Sequence, residues 1–322
     1  MRAGGFRKYL DSIRPSFEEG GRLSWLHSFY EALDTTVSVP GTLTHSGSHI
    51  RDCIDLKRIM LCAVVSLLPC IVVSCFVNGF LPVLRLVITS LAVGYAVELV
   101  ASQLRGKPLC EGYAVTGLII PLIVPIDIPL WVLAIAVAFA VLVGKVAFGG
   151  GGMNIWNTAL LAKAFIIFGF PTMAGSGAAP MPCGAAWLTA VGIGALILLV
   201  TGTASWKVML PSIAGVLAAA GIAGVAMPGE TLSAFGHLAA GNLIFGIVFM
   251  ATDPVTCAQT EAGKWIYGFG IGVLVVLVRN LGLMDADGTM TAILIMNTLA
   301  PLIDRMVIAA NINSRQRRNL TV

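Results

Sequence analysis

Apolar residues run along this chain in blocks of about twenty, the length a helix needs to cross a bilayer. Ten such blocks fall near residues 59–79, 82–103, 113–125, 128–148, 155–171, 185–202, 206–227, 235–252, 265–282 and 289–309. The blocks are too long for strands, and their joints are polar or rich in glycine and proline, so each reads as a helix. The expected fold is an all-α polytopic membrane protein of about ten transmembrane helices, some of them broken. The third block, holding Pro121 and Pro125, is short for a full crossing.

The first 55 residues lack such a block. Leu23, Leu26, Phe29, Tyr30 and Leu33 recur there at helical spacing, which predicts an amphipathic helix on a membrane or partner surface, ended by Pro40-Gly41. The chain is therefore divided into an arm (1–55), a transmembrane bundle (56–310) and a basic tail (311–322).

Composition supports a lipid-facing surface. Charged residues are 11% of the 322, where a soluble domain carries roughly a quarter. Hydrophobic residues reach 57%, with mean hydropathy +0.90. The net charge of +4 says little, but the basic residues cluster in alternate joints: Arg51, Lys57 and Arg58, then Arg105 and Lys107, Lys207, Lys264, and finally Arg315, Arg317 and Arg318. The positive-inside rule then puts the arm and the tail on the cytoplasmic side of the membrane.

Three joints carry the signature of helices interrupted at membrane depth: Glu111-Gly112 before the short third block, the glycine run Gly149 to Gly152, and Thr252-Asp253-Pro254. Such breaks are tolerated only where protein or a wet cavity covers them, and transporters build ion sites from them. Glu111 stands fourteen residues before Pro125 and Asp287 fourteen before Pro301, an echo read as an inverted repeat.

Ionisable residues inside apolar blocks are costly and usually partnered. Glu98, Glu111, Lys145, Lys163, Asp253 and Asp304 are the candidates. Asp253 and Glu111 sit at breaks, where freed carbonyls help coordinate a hard cation such as Na+. Asp304 precedes Arg305, which also fits an interfacial pair; Lys145 and Lys163 also fit snorkelling or a carboxylate partner. The turn from Gly149 through Gly150 to Asn154, opening a helix, fits either an anion such as a flavin phosphate or close helix packing. The seven cysteines form no CxxC pair, His45, His49 and His237 are not spaced as ligands, and no metal site is expected. Hydrolase arrangements, nucleotide fingerprints and nucleic-acid-binding patterns are absent from the sequence, so no catalytic residue is assigned.

Several segments together resemble the B subunit of the Na+-translocating NADH:quinone oxidoreductase. They begin with Gly47-Ser-His-Ile-Arg-Asp-Cys-Ile-Asp-Leu-Lys-Arg-Ile-Met60, with Phe17-Glu-Glu-Gly-Gly-Arg-Leu23 and Tyr30-Glu-Ala32 in the arm. They continue through Glu111-Gly-Tyr-Ala-Val-Thr116, Ile123-Val-Pro125, Pro129-Leu-Trp131 and Phe148-Gly-Gly-Gly-Gly-Met-Asn154. Phe249-Met-Ala-Thr-Asp-Pro-Val255, Gly263-Lys-Trp265, Ala300-Pro-Leu-Ile-Asp304 and Ala310-Asn-Ile312 complete the series. The related D subunit of the Rnf complex shares the last regions but lacks the long arm.

The resemblance implies a ten-helix subunit, with FMN or riboflavin attached, that helps move electrons to a quinone such as ubiquinone while Na+ crosses the membrane. It implies the complex's other subunits, quinone, Na+ and lipid as partners. Positions matching Glu31, Glu111, Asp253 and Asp304 are implicated in sodium handling, and Gly150, Asn154, Asn157 and Lys163 fall where a flavin would be bound. The family attaches FMN to the threonine of a Ser-Gly-Ala-Thr motif, whereas this chain reads Ser176-Gly-Ala-Ala-Pro180 in a shorter loop. Ala179 has no hydroxyl to esterify, so covalent FMN is not expected unless Thr172 or Thr189 substitutes. The family's Asn-Pro-Ala-Leu is here Asn157-Thr-Ala-Leu160, and its arginine is Lys163, which keeps the charge without the bidentate fork. Two roles remain open: a redox subunit with a noncovalent flavin or an unusual attachment, or a non-redox ion-conducting or assembly scaffold of the same fold that has lost the flavin.

Overall fold

The computed structural model describes residues 56–105, 112–150, 152–174, 184–226, 231–282 and 288–320, with Ser12, Ile13, Pro15, Phe17 and Tyr30 of the arm. Among them every regular element is helical, without a sheet. Helix α1 spans Leu56–Asn78 and α2 Phe80–Arg105, joined at Gly79, whose φ of +91° suits glycine. The short α3 (Tyr113–Ile123) follows, then α4 (Leu130–Val141), which widens into a π turn over Leu142–Val146. After the glycine run come α5 (Thr158–Gly169), α6 (Pro171–Ala174), α7 (Ala185–Val200) and α8 (Trp206–Ala226). Short α9 (Ala234–Ala239) and α10 (Leu243–Phe245) lead into a second π turn, Gly246–Met250. Finally α11 covers Glu261–Asn280 and α12 Thr289–Leu320, so residues 311–320 of the tail continue the last helix.

Among the described residues five helices, α1, α2, α8, α11 and α12, are long and apolar enough to cross a membrane. This corrects the expected ten spans in an inverted repeat. The apolar blocks exist, but hydropathy registers apolar content and not helical continuity. Block 113–125 supplies only the 11 residues of α3, and at about 1.5 Å per residue this is roughly half of a ~30 Å hydrocarbon core. Block 235–252 is cut into two short helices and a π turn, and block 155–171 stops where α5 meets Pro171.

The short α3 and α4 lie in the interior. In α4, Val132, Leu133, Ala136, Val137, Ala140 and Val141 are fully buried, and α3 buries Tyr113, Ile120 and Ile123. The long helices show bare apolar side chains such as Phe76, Leu104 and Val225, each more than four-fifths exposed, though α11 also buries Tyr267, Ile271 and Val275. The division follows from backbone chemistry, because unpaired N–H and C=O groups at broken ends must be sheltered by protein while an unbroken helix can face lipid. Between α8 and α11, glycines permit backbone contact: a Cβ on Gly268 would stand 2.5 Å from the Val208 carbonyl oxygen, and Gly215 and Gly272 are similarly confined.

Candidate functional site

The two π turns stand directly before the two interior chain breaks. Each adds one residue to a helical turn: Ala147 N–H donates to Leu142 C=O, and Ala251 N–H to Gly246 C=O, both at 2.8 Å. Such turns re-aim the side chains that follow, and they recur at functional sites. After the first, Gly149, Gly150 and Gly152 take φ of +119°, +113° and +85°, turning the chain toward α5. Asn157 caps α5 by accepting the Ala159 N–H at 3.0 Å. After the second, Asp253 folds the chain by accepting the Val255 N–H at 3.2 Å and the Thr256 hydroxyl at 3.1 Å.

These breaks meet around one cleft with about 80 Å³ of room. Its polar lining includes Thr116, Lys145, Asn154, Asn157, Thr252 and Asp253, against Met60, Ile119 and Phe249 on the apolar side. Asp253 makes no ion pair with a described residue. The side-chain oxygen of Asn154 is buried without a hydrogen-bond partner among the described residues. Thr252 donates its hydroxyl to the Val248 carbonyl at 2.5 Å, so its oxygen is left as an acceptor. A carboxylate with neutral oxygens around it is the donor set of a hard cation.

The room decides what fits. A cavity of about 150 Å³ holds benzene, and one water needs roughly 10–15 Å³. The enclosed part of the cleft thus has room for an ion with a few waters. The four residues expected at a flavin are not all gathered around it: Asn154 and Asn157 line it, while Gly150 and half-buried Lys163 do not.

The remaining sequence candidates are dispersed. Gly112, at the start of α3, lines the cleft, but its neighbour Glu111 lies outside the described residues, as do Glu31 and Ala179. Asp304 is on α12 and holds the start of α11, accepting the N–H groups of Gln259 and Thr260 at 2.8 and 2.9 Å. Thr172 and Thr189 are both exposed, the Thr189 hydroxyl donating to Ala186 C=O at 2.8 Å. One further group joins the site: Lys145, in the first π turn, is ion-paired with Glu98 on α2, both side chains being almost fully buried. Each is conspicuous in the sequence as an ionisable residue in an apolar block, but no sequence pattern links positions 47 apart.

The chain matches the family described as NQR2, RnfD, RnfE over residues 43–181 and 172–313. It is 31% identical to the B subunit of the Na(+)-translocating NADH-quinone reductase from Pseudomonas paraeruginosa, over 98% of this chain and all of the relative. The corresponding protein of Chromohalobacter salexigens is 32% identical over 98% and 97% of the two chains, and that of Azotobacter vinelandii 30% over 98% and 99%. The first alignment runs to 401 positions against a chain of 322, so the relatives carry stretches that this chain lacks. Its bacterial relatives and several spanning helices make it a multi-pass inner-membrane protein. The chain belongs to the NQR2, RnfD, RnfE family.

Proposed function

We propose that this chain is the membrane subunit through which an Na+-translocating NADH:quinone reductase passes its cation, with the Asp253 cleft as a binding station. The single observation that carries this reading is the cleft itself: a small space between two interrupted helices, with oxygen-bearing side chains among a largely apolar lining and a carboxylate without an ion-pair partner among the described residues. Glu31, Glu111 and Asp304 complete the route in this reading, with the arm and the basic tail on the cytoplasmic side. Asp304 contributes by fixing the turn that follows Asp253. The partners are the complex's other subunits, quinone and lipid.

A redox role for the same chain is a second reading, favoured by the open backbone at Gly150 and Gly152, where an added Cβ would meet nothing within 4 Å. A flavin phosphate or ring edge approaching there would be held noncovalently, from outside the cleft. Bound FMN or riboflavin supplies one-electron steps between NADH oxidation and quinone. The chain's own part is to bind the group and keep it apart from the ion.

The test uses the assembled complex in proteoliposomes. On addition of NADH and quinone, 22Na+ uptake is expected to fall to background in an Asp253→Asn variant that assembles normally. Uptake at the unmodified rate refutes the reading.

A further inference from the structure

The cleft contains a fixed cation of its own. Lys145 lines it and is ion-paired with Glu98, whose second carboxylate oxygen is buried without a hydrogen-bond partner among the described residues. Several features hold this lysine in place. The π turn at Leu142–Val146 carries it inward, and the Tyr113 ring lies 5.8 Å from its ammonium, where a cation is favoured. Tyr113 is itself fixed: its hydroxyl donates to the Ser90 carbonyl at 2.9 Å, and its ring occupies space that any Cβ on Gly94 would take. A surface lysine left to snorkel needs none of this.

Among the described residues, the charged groups lining the cleft are Lys145 and Asp253, with Glu98 behind the lysine. Counted over these residues alone, and with both carboxylates ionised, they sum to a single negative charge. In a buried site the net charge is poorly screened, so the occupant that neutralises it is favoured and one that overshoots is expelled.

We propose that Glu98 and Lys145 are specificity-determining residues: the pair adds no net charge to the cleft and leaves Asp253 as the uncompensated carboxylate among its described lining, so that the cleft favours a monovalent cation over a divalent one. The proposal rests on the reading of the cleft as a cation station, and adds to it the basis of valence selection. Without the carboxylate of Glu98, Lys145 would turn to Asp253 and fill the cleft as an internal counter-ion. Without the ammonium of Lys145, two carboxylates would face the cleft and a divalent ion would become the matching occupant. With both removed the charge returns to its original value, and replacing a buried pair by neutral groups is tolerated far better than removing one partner.

The experiment titrates Na+ in NADH-driven quinone reduction by the purified complex, with and without Ca2+, for Glu98→Gln, Lys145→Met, the double variant, Lys145→Arg and Asp253→Asn. Glu98→Gln is expected to raise the half-saturating Na+ concentration roughly tenfold or more. Lys145→Met is expected to acquire inhibition by Ca2+ at concentrations that leave the unmodified complex unaffected, whereas Lys145→Arg, which keeps the charge, stays insensitive. The double variant should regain both a lower Na+ requirement and Ca2+ insensitivity. A double variant that assembles yet behaves like either single one overturns the charge-balance proposal, as does Ca2+ inhibition of Lys145→Arg equal to that of Lys145→Met. An unchanged Na+ response in Asp253→Asn removes the cation station itself, so the two failures are told apart.

Discussion

Asp304 and Thr260, 44 positions apart, are joined twice: one carboxylate oxygen of Asp304 accepts the Thr260 N–H at 2.9 Å and its hydroxyl at 2.5 Å. The other oxygen takes the Gln259 N–H at 2.8 Å. A negative group therefore sits at the start of α11, where helix N–H groups have no internal partners. The same contacts anchor the chain that runs from Asp253 to α11.

Replacing Asp304 by alanine removes all three acceptor contacts. Hydrogen bonds to a charged group are worth about 1.5–3 kcal/mol, so a stability loss of that order is expected, seen as a lower melting temperature of the purified complex. Asp304→Asn keeps one acceptor oxygen and should lose less. Equal melting temperatures for the alanine variant and the unmodified complex would contradict this placement.

Tyr267 and Asn297 form a second buried link, with the hydroxyl 2.5 Å from the amide. With its NH2 turned toward Tyr267 and the Ile293 carbonyl, the amide oxygen of Asn297 also accepts the Asn157 N–H at 3.2 Å, tying α12 to the edge of the cleft. Tyr267→Phe leaves the amide short of a partner at a cost of about 1–3 kcal/mol. Unfolding in a denaturant series should show the loss, and Asn297→Leu should be the more damaging change, since it strands both Tyr267 and the Asn157 N–H.

Gly272 marks the closest approach of α11 to α8, where an added Cβ would collide with the Ser212 carbonyl. Gly272→Val should force the helices apart and sharply lower the yield of monodisperse protein in size-exclusion chromatography. Gly221→Val, on α8 with open space around it, is the control expected to assemble normally.

Flavin attachment gives a chemical prediction. Ala179 stands where an ester-forming threonine would be needed, so denaturing the chain should release all of its flavin. Fluorescence remaining on the denatured polypeptide would reverse this expectation, and peptide mapping would then report on Thr172 and Thr189.

Asp253 is legible in the sequence because Asp-Pro directly after an apolar block is a break that carries a charge, and both features show locally. Asn154 and the glycine turn are legible for the same reason. Glu98 and Lys145 are visible as costly residues, but their pairing depends on how α2 packs against the π turn, and a single added residue in a helix leaves no periodic trace. Asp304 has Arg305 as its neighbour in sequence, whereas the contacts that engage its carboxylate come from another helix. Hydropathy overcounts the spans because lipid and protein interior favour the same side chains. What separates them is whether the backbone continues.

Anomalous diffraction from the assembled complex soaked in Tl+, a heavy stand-in for Na+, tests the cation station most directly. A peak is predicted in the cleft between Asp253 and Asn154, fading when Na+ is added in excess and missing in Asp253→Asn. Peaks elsewhere along the subunit with an empty cleft, or flavin density filling it, would contradict a cation station at Asp253.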